Sequence, residues 1–178
     1  KYGKEYLKTL VDHHISGQMK VAPEHIEDKV LRLMNKPDKD TLLRFKKDFD
    51  NYNKQTGKKQ FLTYYLIAAH PGCEYEDMKN LKEFVNQELQ LNPEQVQVFI
   101  PTPSTYSALM YYTGLDPWSK KPIFVEKDPV KKQKQKDVVT EKERIRHKPK
   151  RYKNNQKVKP LKPLSYKEYK QMHKGRSG

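Results

Sequence analysis

The stretch from Phe61 to Asp77 constrains the fold more than any other part of the sequence. A nearly unbroken apolar run over residues 61–69 ends at His70-Pro71-Gly72, and a pattern typical of a helix follows at once. Both faces of the run are apolar, which is typical of a strand buried in a parallel sheet. The sequence therefore predicts an α/β protein whose His-Pro-Gly corner lies at the carboxyl end of a strand, where α/β barrels and open sheets bind ligands.

The rest of the chain supplies the elements expected around such a strand. Leu42, Phe45, Phe49 and Tyr52 form one apolar stripe of a helix, and Gly57 is a natural stop for it. Other periodic segments predict helices near 1–11, 26–34 and 75–89, and strands near 19–22 and 96–100. The connections are long enough for right-handed parallel crossovers. Three parallel strands leave unpaired edges, so we expect a missing amino-terminal half or a partner that covers them.

The net charge of +15 lies entirely in the last third of the chain. Residues 1–119 contain 16 basic and 16 acidic side chains, whereas residues 120–178 contain 21 basic and 6 acidic ones. Beyond Pro129 apolar residues are few, and such a segment cannot offset the entropy lost on ordering. We therefore predict a globular part, residues 1–118, and a largely disordered, basic, low-complexity tail, residues 119–178, with at most a transient helix between Val130 and Ile145.

Three absences in the sequence limit the class of protein. The chain has one cysteine, Cys73, which excludes an internal disulfide and any site that needs several thiolates. No apolar run approaches the length of a membrane span, and no signal peptide opens the chain. Because the sequence begins with Lys1, we expect a piece of a longer protein. The single cysteine fits a cytoplasmic protein, and the lack of an apolar span predicts no membrane partner.

Three segments of the chain together resemble the radical S-adenosylmethionine (SAM) enzymes. The segments 16–25 and 30–37 resemble the fourth strand region of that superfamily, 64–77 the fifth, and 99–105 with 110–117 the sixth. The combination is closest to the YgiQ-type radical SAM proteins, which carry a basic carboxyl-terminal extension. The resemblance covers about Asp12 to Trp118. It implies the carboxyl-terminal half of a partial (β/α) barrel.

The resemblance also implies cofactors that this chain cannot assemble by itself. Radical SAM enzymes hold a 4Fe–4S cluster by three cysteines in a Cys-x3-Cys-x2-Cys loop and cleave S-adenosylmethionine to start radical chemistry. The chain lacks that loop and the glycine-rich second-strand segment. We therefore expect the cluster and S-adenosylmethionine to belong to the parent protein, and the fragment to be inactive alone. The substrate and the catalytic residues are not predicted.

Four residues are candidates for cofactor binding through this resemblance. Glu24 occupies the position where relatives place a polar residue near the ribose, and a carboxylate there can accept hydrogen bonds from the ribose hydroxyls. The alternative is a solvated carboxylate that caps the next helix. Ile67 and Ala68 align with the strand that touches adenine by apolar and backbone contact. A plain core position is the favoured interpretation of their side chains, and a backbone contact is compatible with it. His70 lies at a strand end. It is a candidate contact for cofactor or substrate, and the alternative is a residue that serves only the turn.

Other side chains with chemical potential have simpler interpretations. Cys73 follows the corner and is more typical of a buried structural thiol than of a reactive one. Thr102 and Ser104 could face the cavity, but short polar residues before a helix are usually caps. Histidines at strand ends could also indicate a metal-dependent hydrolase, but no His-x-His or His-x3-His pair supports this, so no metal site is predicted.

The basic tail gives an alternative function from a different class. Lysine and arginine side chains are dense between Lys131 and Lys153, and tyrosines in the tail could stack on bases. The alternative is therefore a nucleic-acid-binding module in which an α/β platform carries a basic arm that contacts RNA or another polyanion. The simpler interpretation is a solubilising polycation.

Overall fold

The computed structural model describes residues 2–90 and 96–140 and has a three-stranded sheet with helices on one face. Two of the helices carry π-helical turns, Leu10–His14 after α1 and Val85–Leu89 after α4. The elements in chain order are α1 (Tyr2–Thr9), β1 (Gln18–Glu24), α2 (Asp28–Leu33), α3 (Lys39–Thr56), β2 (Phe61–Ala68), α4 (Tyr75–Phe84), β3 (Val96–Val98), α5 (Tyr106–Thr113) and α6 (Pro129–Thr140). This order confirms the predicted alternation of strands and helices.

The three strands pair in the order β1-β2-β3, and both pairings are parallel. The register places Met19 beside Leu62 and Leu66 beside Val96. A bulge interrupts β1 between Val21 and Glu24. The predicted α/β fold with parallel strands is therefore confirmed, and the carboxyl ends of all three strands lie along one edge.

The two faces of β2 differ, which the sequence does not predict. Alternate residues of β2 from Leu62 to Ala68 are buried and form the core together with Phe49, Met78 and Leu81. The intervening residues Thr63, Tyr65 and Ile67 are only half-buried. The apolar character of the second face therefore arises from Tyr65 and Ile67, which no described element covers.

Helix α3 shows how local sequence determines an element here. The Asp38 carboxylate accepts a hydrogen bond from the Thr41 N–H at 2.8 Å, and Gly57 ends the helix in the left-handed conformation (φ 67°). Both are standard termini for a helix. The apolar stripe between them turns inward, and Phe49 is completely buried. The predicted stripe and stop signal are confirmed.

The folded part extends further along the chain than the composition indicates. Helix α6 packs against α4 and against β3, and its residues Lys132, Gln135 and Val139 are buried. Residues 129–140 are thus part of the core layer, although the sequence predicts at most a transient helix there. The reason is tertiary, because the buried side chain of Gln135 meets Cys73, which lies 62 residues earlier. The remainder of the predicted tail, residues 141–178, lies outside the described residues.

Candidate functional site

An open cleft of about 560 Å³ lies over the carboxyl ends of the strands. Its volume falls within the range of small-molecule sites, about 300–1,000 Å³. Residues from all three strands and from the loop that leads into α5 line it: Glu24, Tyr65, Ile67, Gln97, Val98, Phe99, Ile100, Thr102, Thr105 and Ser107. The cleft lies at the edge of the sheet where the sequence predicts a ligand site, and ligand binding there stays a prediction.

The backbone at two of these strand ends is in an unusual conformation. Glu24, the last residue of β1, has φ 68°, and Ala69, directly after β2, has φ 59°. Ser104, in the loop after β3, has φ 64°. Residues other than glycine rarely adopt this left-handed region, and each instance costs about 1–3 kcal/mol. Strain of this kind clusters at binding sites, so the cleft edge is a functional-site candidate on backbone grounds as well.

The His-Pro-Gly corner is a tight turn that closes over α2. The Cys73 N–H donates to the His70 carbonyl at 2.9 Å, and Gly72, with φ 87°, occupies the position of a type II turn that requires positive φ. A Cβ at Gly72 would lie 2.2 Å from Leu33 Cδ1. The glycine is therefore required both for the turn and for the close approach of α2.

The corner places His70 beneath the cleft rather than in it. His70 is 3 % exposed, and its ring meets Phe99 edge-on at 5.1 Å. Its Nδ1 lies 2.8 Å from the Pro71 carbonyl oxygen, which can only accept, so Nδ1 carries the proton. Burial lowers the pKa of His70, which favours the neutral ring. Its Nε2 therefore accepts a hydrogen bond from the Ser107 hydroxyl at 2.8 Å.

Ser107 lines the cleft and connects it to His70 through this hydrogen bond. Because its proton is directed to His70, the Ser107 oxygen can act only as an acceptor toward a ligand. The prediction that His70 itself contacts a cofactor stays a prediction, but both of its ring nitrogens already have protein partners. A ligand with an N–H or O–H donor would match Ser107 directly.

Glu24 lines the opposite side of the cleft. Its Oε1 lies 3.0 Å from Lys36 Nζ, and the same ammonium group donates to the Ala22 carbonyl at 3.3 Å. The Glu24 side chain remains 22 % exposed, so its second oxygen is available to a ligand. The predicted ribose contact by Glu24 stays a prediction, and the geometry is compatible with it.

The two neighbouring candidates on β2 face opposite directions. Ile67 is half-buried and lines the cleft, whereas the Ala68 side chain is completely buried in the core. The Ala68 carbonyl accepts a hydrogen bond from the Phe99 N–H at 2.8 Å. A side-chain contact with adenine is therefore possible for Ile67 and not for Ala68.

Sequence reasoning missed several residues that line the cleft. Tyr65 precedes Ile67 by two positions, and Gln97 is the register partner of Ile67, so the period of a strand would have indicated both. Thr102 lines the cleft, as considered from the sequence. The cap of α5 is Thr105, whose hydroxyl accepts from the Ala108 N–H at 3.1 Å. No sequence signal indicated Ser107, because its role depends on His70.

Cys73 belongs to a buried network outside the cleft. Burial raises the pKa of Cys73 to about 12, and lowers the pKa of His25 to about 4. His25 Nδ1 accepts from the Glu27 N–H at 3.0 Å, so its Nε2 carries the proton that faces Cys73 Sγ at 3.5 Å. Gln135 of α6 completes the network, with Oε1 at 3.6 Å from Sγ and Nε2 at 3.5 Å from the Cys73 carbonyl. The thiol is therefore structural and joins α6 to the strand ends.

The described residues offer no site for a metal ion. Within residues 2–90 and 96–140, no group of three or more His, Cys, Asp or Glu side chains converges. No helix in the same part is both long and apolar enough to cross a membrane. A cytoplasmic location stays a prediction.

Comparison with known proteins places the chain among larger polypeptides. Over 146 residues it is 62 % identical to the UPF0313 protein FN0734 of Fusobacterium nucleatum, a match that covers 82 % of this chain and 26 % of that protein. A UPF0313 protein of Methanosarcina acetivorans is 45 % identical over 136 residues, covering 76 % of this chain and 18 % of that protein. The chain is similar to one part of the UPF0313 proteins. It spans about a quarter or less of the length of these relatives.

Two further comparisons concern the carboxyl-terminal segment and the fold. Residues 94–159 match the family model of a domain of unknown function, DUF3362. The archaeal Elp3 of Methanocaldococcus infernus has a similar structure, with a TM-score of 0.54 and 11 % identity over 76 % of this chain and 29 % of that one. At this identity the match shows a shared fold and no more.

Proposed function

We propose that this chain is one part of a YgiQ-type radical SAM enzyme and forms one wall of its cofactor cavity. The observation that carries the proposal is the convergence of three parallel strand ends on one cleft, in the order expected for neighbouring barrel strands. The high identity with UPF0313 proteins and the fold match to Elp3 support the radical SAM superfamily.

The residues present suit a nucleoside and do not suit an iron–sulfur cluster. A 4Fe–4S cluster needs several thiolates, and the single cysteine of this chain is buried with its pKa raised. The cluster ligands must therefore come from outside this chain, and we derive no step through the cluster. The cleft, by contrast, offers an apolar side chain, Ile67, between the acceptors Glu24 and Ser107. Ribose hydroxyls and an adenine amino group are donors of the kind these acceptors require.

The free edge of β1 supports the presence of a further piece of barrel. Among the described residues β1 is an edge strand, and unpaired strand edges are usually covered. An apolar cleft of about 300 Å³ lies beside it, lined by side chains that include Met19, Leu42 and Phe45. Because the relatives are about four times as long as the matched segment or longer, an additional strand and helix are the natural occupants.

The first test is the coding sequence that precedes this chain. The proposal expects a Cys-x3-Cys-x2-Cys loop there, followed by a glycine-rich strand end. The longer polypeptide is then reconstituted anaerobically with iron and sulfide and incubated with S-adenosylmethionine and a reductant. We expect 5′-deoxyadenosine to accumulate. The absence of three closely spaced cysteines upstream, or of this product, would refute the proposal.

A pair of variants tests the cleft in the same longer polypeptide. Glu24→Gln is expected to raise the KM for S-adenosylmethionine by about 10- to 150-fold, because a hydrogen bond to a charged group contributes about 1.5–3 kcal/mol. The matched control is Glu76→Gln, since the Glu76 side chain is 67 % exposed and pairs only with Lys79 among its described contacts. Equal KM values for the two variants would remove Glu24 from the cofactor site.

A further inference from the structure

Two exposed aromatic rings lie together on α5 and the loop after it. Tyr106 and Trp118, here called the aromatic patch, are 64 % and 49 % exposed. The rings of Tyr106 and Trp118 lie 5.5 Å apart between centroids, with their planes inclined at 37°. Tyr112 is also exposed, but it lies six residues further along α5, about 120° around the helix from Tyr106, and its ring packs against Tyr111 instead. Paired aromatic rings at a protein surface are common at binding sites.

The loop that presents Trp118 is held rigidly. Asp116 is buried, and its carboxylate accepts from the Trp118 N–H at 3.0 Å and from the Ser119 hydroxyl at 2.7 Å. Arg32 of α2 donates to the same carboxylate at 2.9 Å. The hydroxyl of Ser119, the Trp118 N–H and the guanidinium hold the pKa of Asp116 well below its usual range. A loop held in this way loses little backbone entropy when it binds a ligand.

The charges around the aromatic patch favour an anionic ligand. From residue 100 to residue 125 the sequence contains one carboxylate, Asp116, which is buried and paired with Arg32. The same stretch contains two exposed lysines, Lys120 and Lys121. The basic excess of the whole chain begins at this point and continues toward its carboxyl end. A protein surface that combines aromatic faces with unopposed cations fits bases on a phosphate backbone.

We propose that the aromatic patch is a stacking site for the bases of single-stranded nucleic acid, with Lys120 and Lys121 attracting the phosphates. Stacking is tolerant of sequence because every base has a π face. The patch lies within residues 94–159, the segment that matches DUF3362, and the proposal does not depend on the cofactor cavity.

The chain carries its own reporter for this site. Trp118 is the only tryptophan in the sequence, so intrinsic tryptophan emission comes from the patch alone. A 12-nucleotide oligouridylate RNA is titrated into the 178-residue chain at low and at moderate salt, and heparin is titrated in parallel. We expect RNA to change the emission of Trp118 and heparin to leave it unchanged, since heparin has charge without bases. Added salt should weaken the RNA effect.

Substitutions separate stacking from general attraction. Tyr106→Leu is expected to weaken RNA binding by about 5- to 100-fold, as one stacking face is lost. Tyr6→Leu is the matched control, because Tyr6 is a comparably exposed tyrosine (67 %) on α1. Trp118→Leu is measured by the anisotropy of labelled RNA, and we expect a loss of similar size.

Each alternative has a distinct result that would overturn the proposal. RNA binding that leaves the emission unchanged and is as tight in Tyr106→Leu would assign the binding to the basic segment alone. Emission that shifts with protein concentration and not with RNA would assign the patch to a second copy of the chain. Absence of RNA binding at low salt would reject the site outright.

Discussion

Replacing Gly72 by alanine tests whether the corner between β2 and α4 is fixed by glycine for two separate reasons. The first reason is conformational, because Gly72 has φ 87° and a residue with a Cβ pays about 1–2 kcal/mol in the left-handed region. The second is steric, because the new Cβ would lie 2.2 Å from Leu33 Cδ1.

The energetic cost of the steric clash depends on how easily the Leu33 side chain can move away from the new Cβ. Leu33 Cδ1 is the end of a flexible side chain at the last residue of α2, but Leu33 is only 5 % exposed. It must therefore leave its rotamer inside a packed region, which costs about 0.5–1.5 kcal/mol. We expect Gly72→Ala to lower the free energy of unfolding by about 1.5–3.5 kcal/mol in total, a large share of the 5–15 kcal/mol typical of a domain.

The assay is urea denaturation of the 178-residue chain followed by circular dichroism, with Gly57→Ala as control. Gly57 has φ 67°, and its added Cβ would meet no heavy atom within 4 Å, so this variant pays the conformational part alone. In a Leu33→Ala background, where Cδ1 is absent, the effect of Gly72→Ala should fall to that of Gly57→Ala. Equal losses for Gly72→Ala and Gly57→Ala in the original background would show that the contact with Leu33 carries no energy and refute the reasoning.

Three further predictions concern the buried network around Cys73. Gln135→Ala should destabilise the chain by about 1–3 kcal/mol in urea, because it leaves buried groups unpaired, whereas Gln133→Ala on the exposed side of α6 should change little. The Cys73 thiol, with its pKa raised to about 12, should resist a thiol reagent at pH 8 until urea unfolds the chain; rapid reaction of the folded chain would contradict its burial. Because the folded-state pKa of His25 is about 4 and its unfolded value about 6.5, the unfolded state gains a proton first as pH falls; stability should therefore decline between pH 6.5 and pH 4, by on the order of 2–3 kcal/mol. A His25→Asn variant should lose that part of the pH dependence, and an unchanged slope would show that other groups cause it.

Much of the cleft could be predicted because parallel strands have a common direction. Strands near 19–22 and 61–69 were predicted, and parallel strands joined by helices must bring their carboxyl ends to one edge. The resemblance to radical SAM enzymes named Glu24 and Ile67 as candidates, and both line the cleft. The sequence did not show which of the Ile67 and Ala68 side chains faces the cleft, because this depends on which face of β2 the helices cover.

The sequence by itself determined elements such as α3, since their signals come from neighbours in the chain. The signals for α3 lie within 20 residues of one another: the Asp38 cap, the apolar stripe and the Gly57 stop. Periodicity and capping act over such distances, so these features needed no tertiary information.

The tertiary structure alone decided which groups meet across the chain. His70 and Ser107 are 37 positions apart, Cys73 and Gln135 are 62 apart, and Arg32 and Asp116 are 84 apart. No local pattern specifies such pairs, because each depends on how several crossovers return the chain to the same edge of the sheet. The acceptor role of Ser107, the order of α6 and the fixed position of Trp118 therefore became visible only with the packed fold.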